Sequence, residues 1–469
     1  MMFIRAQQPP PLAELTPVNL PDDMAAALRY MEAHAPDRLP APERWPEPSE
    51  SPVKFSTYGL SVPDMPRDPV VSNVALVDFD GDGKVDVLGT EMKQGTVFWG
   101  HVQSGSPLNV IATIPHPDHV TMTDVDKDGI KDLLVADLGR FLPGDHREGA
   151  IIWMRGLGNG KFTSMSLDGL PRIADVEAAD FNGDGRTDLA VAAFGWRTTG
   201  HIALLENQTT NAAEPSFAPH IIDPRPGAIH IIPIDLNKDG KMDFLALLSQ
   251  QYETVVSYTN TGKGDFSFVP QVLYAAPHPN WGSTGIQVVD LDKDGDLDVL
   301  YTHGDSLDDG LVKPYHGIQW LENKGPGPFD AHDIARMPGV HRAVAADMDG
   351  DGDFDVVAGA MLAAESGVDE ARLPALVWLE QTKPGVFVRH TIEMGFPRHA
   401  TLDVADIDGD GDMDVVTGYA STDKPATSWV QLWINETKRG SPSLRDGKEG
   451  VADLLSRARS KPEPKFVRP

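Results

Sequence analysis

Short apolar runs alternate with glycine-rich acidic turns along most of this chain. "VALVD" leads into one such turn, and "DFLALL" or "DVVAGAM" leads out of others. Each run is four to seven residues, the length of a strand and too short for a helix spanning a core. A third apolar run follows in most units, often with an aromatic: "TVFWG", "IIWMRG", "IALLENQ", "IQWLENK", "LVWLEQ" and "VQLWINE". A fourth is expected to begin at Phe162, Phe217, Phe266, Phe329 or Phe387. Four short strands per unit are the pattern of a propeller blade.

The acidic turns set the repeat. They run Asp78–Asp86, Asp124–Asp132, Asp180–Asp188, Asp235–Asp243, Asp290–Asp298, Asp347–Asp355 and Asp406–Asp414. Their starts are 46, 56, 55, 55, 57 and 59 residues apart, a period that marks a propeller or a related repeat fold. The last unit loses the pattern after its third strand, 429–435. An orphan strand, "VKFSTYGLSV" at 53–62, precedes the first turn. Joining the two closes a ring and removes a free sheet edge. The expected fold is therefore an all-β, seven-bladed propeller over 53–436, closed by its N-terminal strand. Residues 1–52 read as an arm with a short helix over 21–34 and a proline-rich connector. Residues 437–469 read as a basic, mostly disordered tail, with nine Lys or Arg against four Asp or Glu.

Oxygen donors stand at positions 1, 3, 5 and 9 of every turn. They are Asp78, Asp80, Asp82 and Asp86; Asp124, Asp126, Asp128 and Asp132; Asp180, Asn182, Asp184 and Asp188; Asp235, Asn237, Asp239 and Asp243. The last three sets are Asp290, Asp292, Asp294 and Asp298; Asp347, Asp349, Asp351 and Asp355; Asp406, Asp408, Asp410 and Asp414. Glycine is invariant among them at position 6. Carboxylates in a tight glycine turn suit Ca²⁺, which accepts six to eight oxygens in flexible geometry. An EF-hand is excluded: position 12 is Gly89 in the first turn and Thr417 in the last, and the flanks are strands. About seven Ca²⁺ are expected, each pinning a hairpin.

These repeats resemble the FG-GAP or VCBS units of integrin α-subunit heads and many bacterial extracellular proteins. The resemblance covers roughly 53–436 and implies a calcium-bearing propeller with ligands on the rim opposite the calcium turns. It implies no integrin biology.

Charge narrows the partners. The chain of 469 residues carries a formal charge of −30, which disfavours nucleic acid through phosphate repulsion. Seven divalent ions would add +14 and leave −16. There are no cysteines, so disulfides, thiolate chemistry and Cys-ligated zinc are excluded. No apolar stretch is long enough for a spanning helix, and no membrane insertion is expected. The opening "MMFIRAQQPPPLAE" lacks the apolar core of a signal peptide. Calcium sites of this kind fill poorly at resting cytosolic levels, so an extracellular or periplasmic setting is expected.

Strand order places the loops from second to third strands, and from fourth to next first strands, on the rim away from the acidic turns. Those loops are rich in chemistry. The candidate ligand or second-metal residues are His119, Asp137, His146, Arg172, Trp196, His230, His278, Trp281, His303, Asp305, His316, His341 and His399. Imidazoles with carboxylates can hold a metal or move protons, and the tryptophans can stack on a sugar. Each histidine can equally serve as a turn cap. Three readings follow: a module binding a carbohydrate or other exported ligand, a carbohydrate-active lyase, hydrolase or sugar dehydratase, or a scaffold docking exported proteins. No catalytic residue is assigned by the sequence. His220, His332 and His390, each three residues after a phenylalanine in a fourth strand, are expected to be outer-strand packing or surface residues.

Overall fold

The structure is a computed structural model that describes residues 25–26, 29–30, 33, 49–211, 214–308, 310–363, 369–420 and 425–437. Of the expected helix over 21–34, Ala25, Ala26, Arg29, Tyr30 and Ala33 are described and helical. The proline-rich connector up to 48 and the tail from 438 lie outside the described residues.

Seven four-stranded antiparallel sheets account for the strands among the described residues. They span 71–113, 117–170, 173–223, 228–275, 283–336, 340–394 and 399–435, the last completed by Phe55–Leu60. That N-terminal strand pairs with Val430–Asn435, from Phe55↔Asn435 to Leu60↔Val430. The ring is closed by hydrogen bonds between the two ends of the propeller, as the phase of the repeat predicts. Leu60 is 1 % exposed and packs with Val71, Val430 and Trp429, a burial worth about 2 kcal/mol.

Second strands are buried along their length, as in Asp132–Asp137 and Asp243–Leu248, save Tyr419 at the end of the last. Each is covered on both faces by the adjacent blades, which explains why these runs are continuously apolar rather than alternating. The outermost strands mix exposed and half-buried positions, as in Phe162–Leu170. Phe98, Trp153, Leu204, Tyr258, Trp320, Trp378 and Leu432 on the third strands are all buried between blades. The register slips by one in two blades. Leu134 faces Trp153, but its counterparts Leu88 and Leu245 face Trp99 and Ser257.

Fourth strands start at Phe162 and Phe217, as expected. In the fourth blade the strand starts at Phe268 rather than Phe266, because Phe266 sits at φ 55 in the turn. The outer histidines form a repeated device. His220, His332 and His390 place Nε2 at 3.1, 2.9 and 2.6 Å from Glu206, Glu322 and Glu380 on the neighbouring third strand.

One irregularity recurs in all seven first strands. A bulge interrupts pairing with the second strand at Val71/Asn73, Pro117/His119, Ile173/Asp175, Ala228/His230, Ser283/Gly285, Val340/Arg342 and His399/Thr401. The extra residue bends the innermost strand and re-aims its side chains. The residue after each bulge lies five positions before an acidic turn, so the bulges set a ring of seven residues around the channel.

Candidate functional site

The acidic turns fold in one way seven times. The position-1 carboxylate receives backbone N–H groups from within its own turn: Gly81 and Gly83 donate to Asp78 at 2.8 and 3.0 Å, and Gly409 and Gly411 to Asp406 at 2.8 and 3.0 Å. Glycine at position 6 is required by φ between 81 and 99°, a region that side chains rarely adopt. The position-9 aspartates are at most 1 % exposed. One oxygen accepts the N–H of position 2, as from Val125 to Asp132 at 3.0 Å and from Ile407 to Asp414 at 2.8 Å. The other accepts the N–H at the end of the third strand, as from Gly156 at 2.7 Å or Asn435 at 2.7 Å. In the first blade His101 Nδ1 takes that place, 2.8 Å from Asp86.

The ninth aspartate therefore ties each turn to its sheet. Burial raises its carboxyl, and the neighbouring loop carboxylates raise it further: Asp188, Asp298 and Asp355 are pushed up to about 6 and Asp414 to about 7. Buried carboxylates crowded by like charges are the electrostatic condition that a cation relieves. The donor atoms of Asp78, Asp80 and Asp82, of Asp124, Asp126 and Asp132, and of Asp290, Asp292 and Asp294 each lie within 4.8 Å of one another. These residues can hold a metal ion.

Away from the acidic turns, the bulged first strands and the loops after second strands enclose a cavity of about 580 Å³. His119, Arg172, Trp196, His230, Asp305 and His341 line it, as do Asp118, Asp175, Glu177 and Arg342. His119 Nδ1 lies 2.9 Å from Asp175 Oδ1, and His230 Nδ1 lies 3.7 Å from Asp175 Oδ2. The backbone N–H of Ile231 donates to Asp175 Oδ2 at 3.1 Å, and the Thr121 hydroxyl to Glu177 Oε1 at 2.9 Å.

Burial would raise the Asp175 carboxyl, but the two histidines outweigh it and hold the group well below the usual carboxylate range. Burial opposes protonation of His119, yet the Asp175 carboxylate prevails and raises its pKa. Glu177 moves the other way: burial and the Asp175 charge both push it up. Neighbouring titratable groups driven apart in this manner are a mark of functional sites. Arg172 is 3 % exposed, its Nε has no hydrogen-bond partner, and its guanidinium lies over the Phe194 ring at 5.3 Å.

The remaining predicted residues lie elsewhere. His278, Trp281, His303 and His316 belong to an aromatic cluster beside the fifth blade. Trp281 stacks on Tyr315 at 4.5 Å and on His303 at 4.7 Å, while His278 meets Trp281 edge-on at 5.3 Å. His316 touches Tyr315 edge-on at 5.7 Å and is fully buried. His399 turns into its blade and pairs with Glu393 at 2.6 Å. Asp137 accepts the N–H groups of His116 and Gly139, both at 2.9 Å, and shapes a turn. His146 Nδ1 accepts the Glu148 N–H at 3.2 Å in the long second-blade loop.

Asp175, Glu177, Asp118 and Arg342 were not among the sequence candidates. For Asp175 and Arg342 the signal is positional: five residues before the acidic turns stand Asn73, His119, Asp175, His230, Gly285, Arg342 and Thr401, whereas Asp118 and Glu177 stand six and three residues before theirs.

The family described as FG-GAP-like repeat matches residues 78–135, 124–191 and 235–301. No curated protein matches the sequence at a significant level. Among solved structures, an ancestral GH74 enzyme aligns with a TM-score of 0.52 at 10% identity, over 83% of this chain and 51% of that one. Virginiamycin B lyase from Staphylococcus aureus aligns at 0.48 and 12% identity, over 81% of this chain and 99% of that one. Saccharomyces cerevisiae Sqt1 aligns at 0.43 and 10% identity, over 80% and 98%. At 10% identity the GH74 likeness concerns fold alone. Residues 78–191 and 235–301 thus carry FG-GAP-like repeats, set within a closed ring of seven blades.

Proposed function

We propose that the protein is a calcium-braced propeller, working outside the cytosol, that binds a carbohydrate-class ligand in the channel cavity away from the acidic turns. One observation carries this reading: a cavity of about 580 Å³ in which a tryptophan, two arginines and a histidine–carboxylate group converge. Its size suits a ligand of one to a few sugar rings. Trp196, with Arg197 stacked at 4.2 Å, offers an aromatic face beside charged hydrogen-bonding groups.

Calcium is favoured for the acidic turns because every side-chain donor within them is oxygen, with His101 beside the first, and the number of oxygens is high. Repeated, internally completed sites suit bracing better than catalysis. Calcium at extracellular levels would fill them, which supports an extracellular or periplasmic setting.

A glycan array probed with the calcium-loaded protein tests the binding reading. Wild type is expected to retain one class of saccharide, and Trp196→Ala and Arg172→Ala to lose it. Absence of saccharide binding by wild type would overturn the reading.

A second reading has its own support. His119, its proton held by the Asp175 carboxylate, and Glu177, raised to about 7 by burial and the Asp175 charge, place a proton donor and a carboxyl able to take or give a proton near neutrality within one small volume. A lyase, hydrolase or dehydratase acting on the bound sugar would use that pair. Incubating captured glycans with wild type and Glu177→Gln, and analysing products by mass spectrometry, separates binding from turnover.

A further inference from the structure

We propose that His119, Asp175 and Glu177 form a metal centre in the channel, chemically different from the acidic turns, that takes one borderline divalent transition ion of the Mn²⁺ or Zn²⁺ class. The proposal rests on reading the channel as the functional site and adds its cofactor.

The three residues come from two adjacent first strands, and their donor atoms lie within 4.8 Å of one another. Asp175 is 3 % exposed, and its Oδ1 has no hydrogen-bond partner. Yet His119 Nδ1 is only 2.9 Å from that oxygen. The distance is right for a hydrogen bond and the direction is not. His119 Nδ1 also lies 3.4 Å from the Thr121 hydroxyl; with its proton displaced, the same nitrogen and Asp175 Oδ1 would stand as two neighbouring donors to one ion. Around an octahedral ion with bonds of about 2.1 Å, adjacent donors stand about 3.0 Å apart, close to the 2.9 Å between His119 Nδ1 and Asp175 Oδ1.

The outer contacts also fit. A metal-binding carboxylate or imidazole is usually oriented by a second hydrogen bond. Asp175 Oδ2 is fixed by the Ile231 N–H at 3.1 Å, leaving Oδ1 aimed inward. Glu177 Oε1 is fixed by the Thr121 hydroxyl at 2.9 Å. His230, 3.7 Å from Asp175, stands where it can complete or orient the set.

Donor type separates this centre from the last six turns; beside the first, His101 stands with Asp80 and Asp86, so the His119→Ala and Glu177→Gln variants assign the ion to the channel. An imidazole with two carboxylates suits Mn²⁺, Fe²⁺ or Zn²⁺, whereas all-oxygen loops suit Ca²⁺. Saturating calcium should therefore fill the loops and leave the channel free.

The test uses the full chain, stripped of metal, reloaded with saturating Ca²⁺ and titrated with Mn²⁺ under electron paramagnetic resonance. One Mn²⁺ per chain is expected, with affinity at least tenfold weaker in both His119→Ala and Glu177→Gln. The proposal falls if wild type binds no Mn²⁺ beside calcium, or if Glu177→Gln binds it as wild type does. Thermal melting accompanies each variant; if His119→Ala melts early, the near-isosteric Glu177→Gln decides. Glycan capture by the manganese-free, calcium-loaded protein is scored separately. Its persistence would keep the ligand reading alive even where the metal proposal fails.

Discussion

Asp145 and Thr198 meet across a blade boundary: Asp145 Oδ1 accepts the Thr198 backbone N–H at 2.9 Å. The same oxygen accepts the N–H groups of Arg197 and Thr199 at 2.9 and 3.2 Å, and the Thr199 hydroxyl at 3.1 Å. The long loop of the second blade thereby holds the turn that carries Trp196 to the cavity. Slight burial would raise the carboxyl, but the Thr198 and Arg197 N–H groups outweigh it and bring it down to about 2. A depressed carboxylate contributes stability above its unfolded pKa, near 3.8, and loses it as pH falls through about 2. The clasp is therefore constant from pH 5 upward. Asp145→Ala is expected to leave the melting temperature almost unchanged, since the group is exposed. It should speed proteolysis at 195–200 and weaken ligand capture several-fold. Unaltered proteolysis would show that the turn holds itself.

Chelation should not affect the seven turns equally. Lys84, Arg186 and Lys241 pair with Asp82, Asp184 and Asp239 at 2.8, 2.5 and 2.9 Å. Arg155 reaches both Asp126 and Asp128 in the second turn. In the last three turns position 7 is instead Asp296, Asp353 or Asp412, so each adds a fifth carboxylate. A site with free ion at about 100 times its Kd adds about 2.7 kcal/mol to stability. Calcium removal is expected to lower the melting temperature substantially. Hydrogen exchange should rise first at 290–298, 347–355 and 406–414. Equal exchange in all seven turns would show that the internal cations do not matter.

The blades were legible because each level of pattern agreed with the next. Strand-length apolar runs, glycine turns and a fixed acidic spacing all placed the same boundaries, and the missing fourth strand of the last unit pointed to Phe55–Leu60. The channel chemistry was less visible. His119 and His230 stand five residues before an acidic turn and reach the cavity, whereas His399 stands seven before and turns to Glu393. All three read alike as histidines entering a first strand. Asp175 and Glu177 sit in "IADVEAADF", where they look like polar interruptions in a strand. Their approach to His119 depends on bulges in neighbouring blades, which no single repeat discloses.

His303 and His316 make acid stability measurable at named positions. Burial brings both imidazoles down to about 3; the Asp333 carboxylate opposes this weakly at His303, and Lys313 adds to it at His316. The unfolded chain takes up a proton near pH 6.5 that the folded chain refuses until about 3. Between those values the unfolded state binds more protons, so stability falls as pH falls. Each histidine contributes a slope of about 1.4 kcal/mol per pH unit in that window. In urea titrations from pH 7 to 4, His316→Gln is expected to be less stable at pH 7 but to lose stability less steeply on acidification. An unchanged slope would mean that His316 is protonated in the folded protein.

The velcro strand offers the sharpest test of the ring. Leu60 fills the seam between the first and last blades, packed on Val71, Val430 and Trp429. Replacing it with alanine leaves a cavity in a tightly packed site and should cost about 2–5 kcal/mol. Leu60→Asp is expected to do more, because it buries a charge with no cation partner and drives Phe55–Leu60 off the sheet. The edge of Val430–Asn435 would then present unpaired backbone groups, which invite pairing with another chain. Light scattering should show concentration-dependent oligomers for Leu60→Asp. The control is Val386→Asp, on an outer strand where the side chain is 51 % exposed, and it should remain as wild type. If Leu60→Asp stays unassociated and melts as a single transition near wild type, the ring does not depend on this seam.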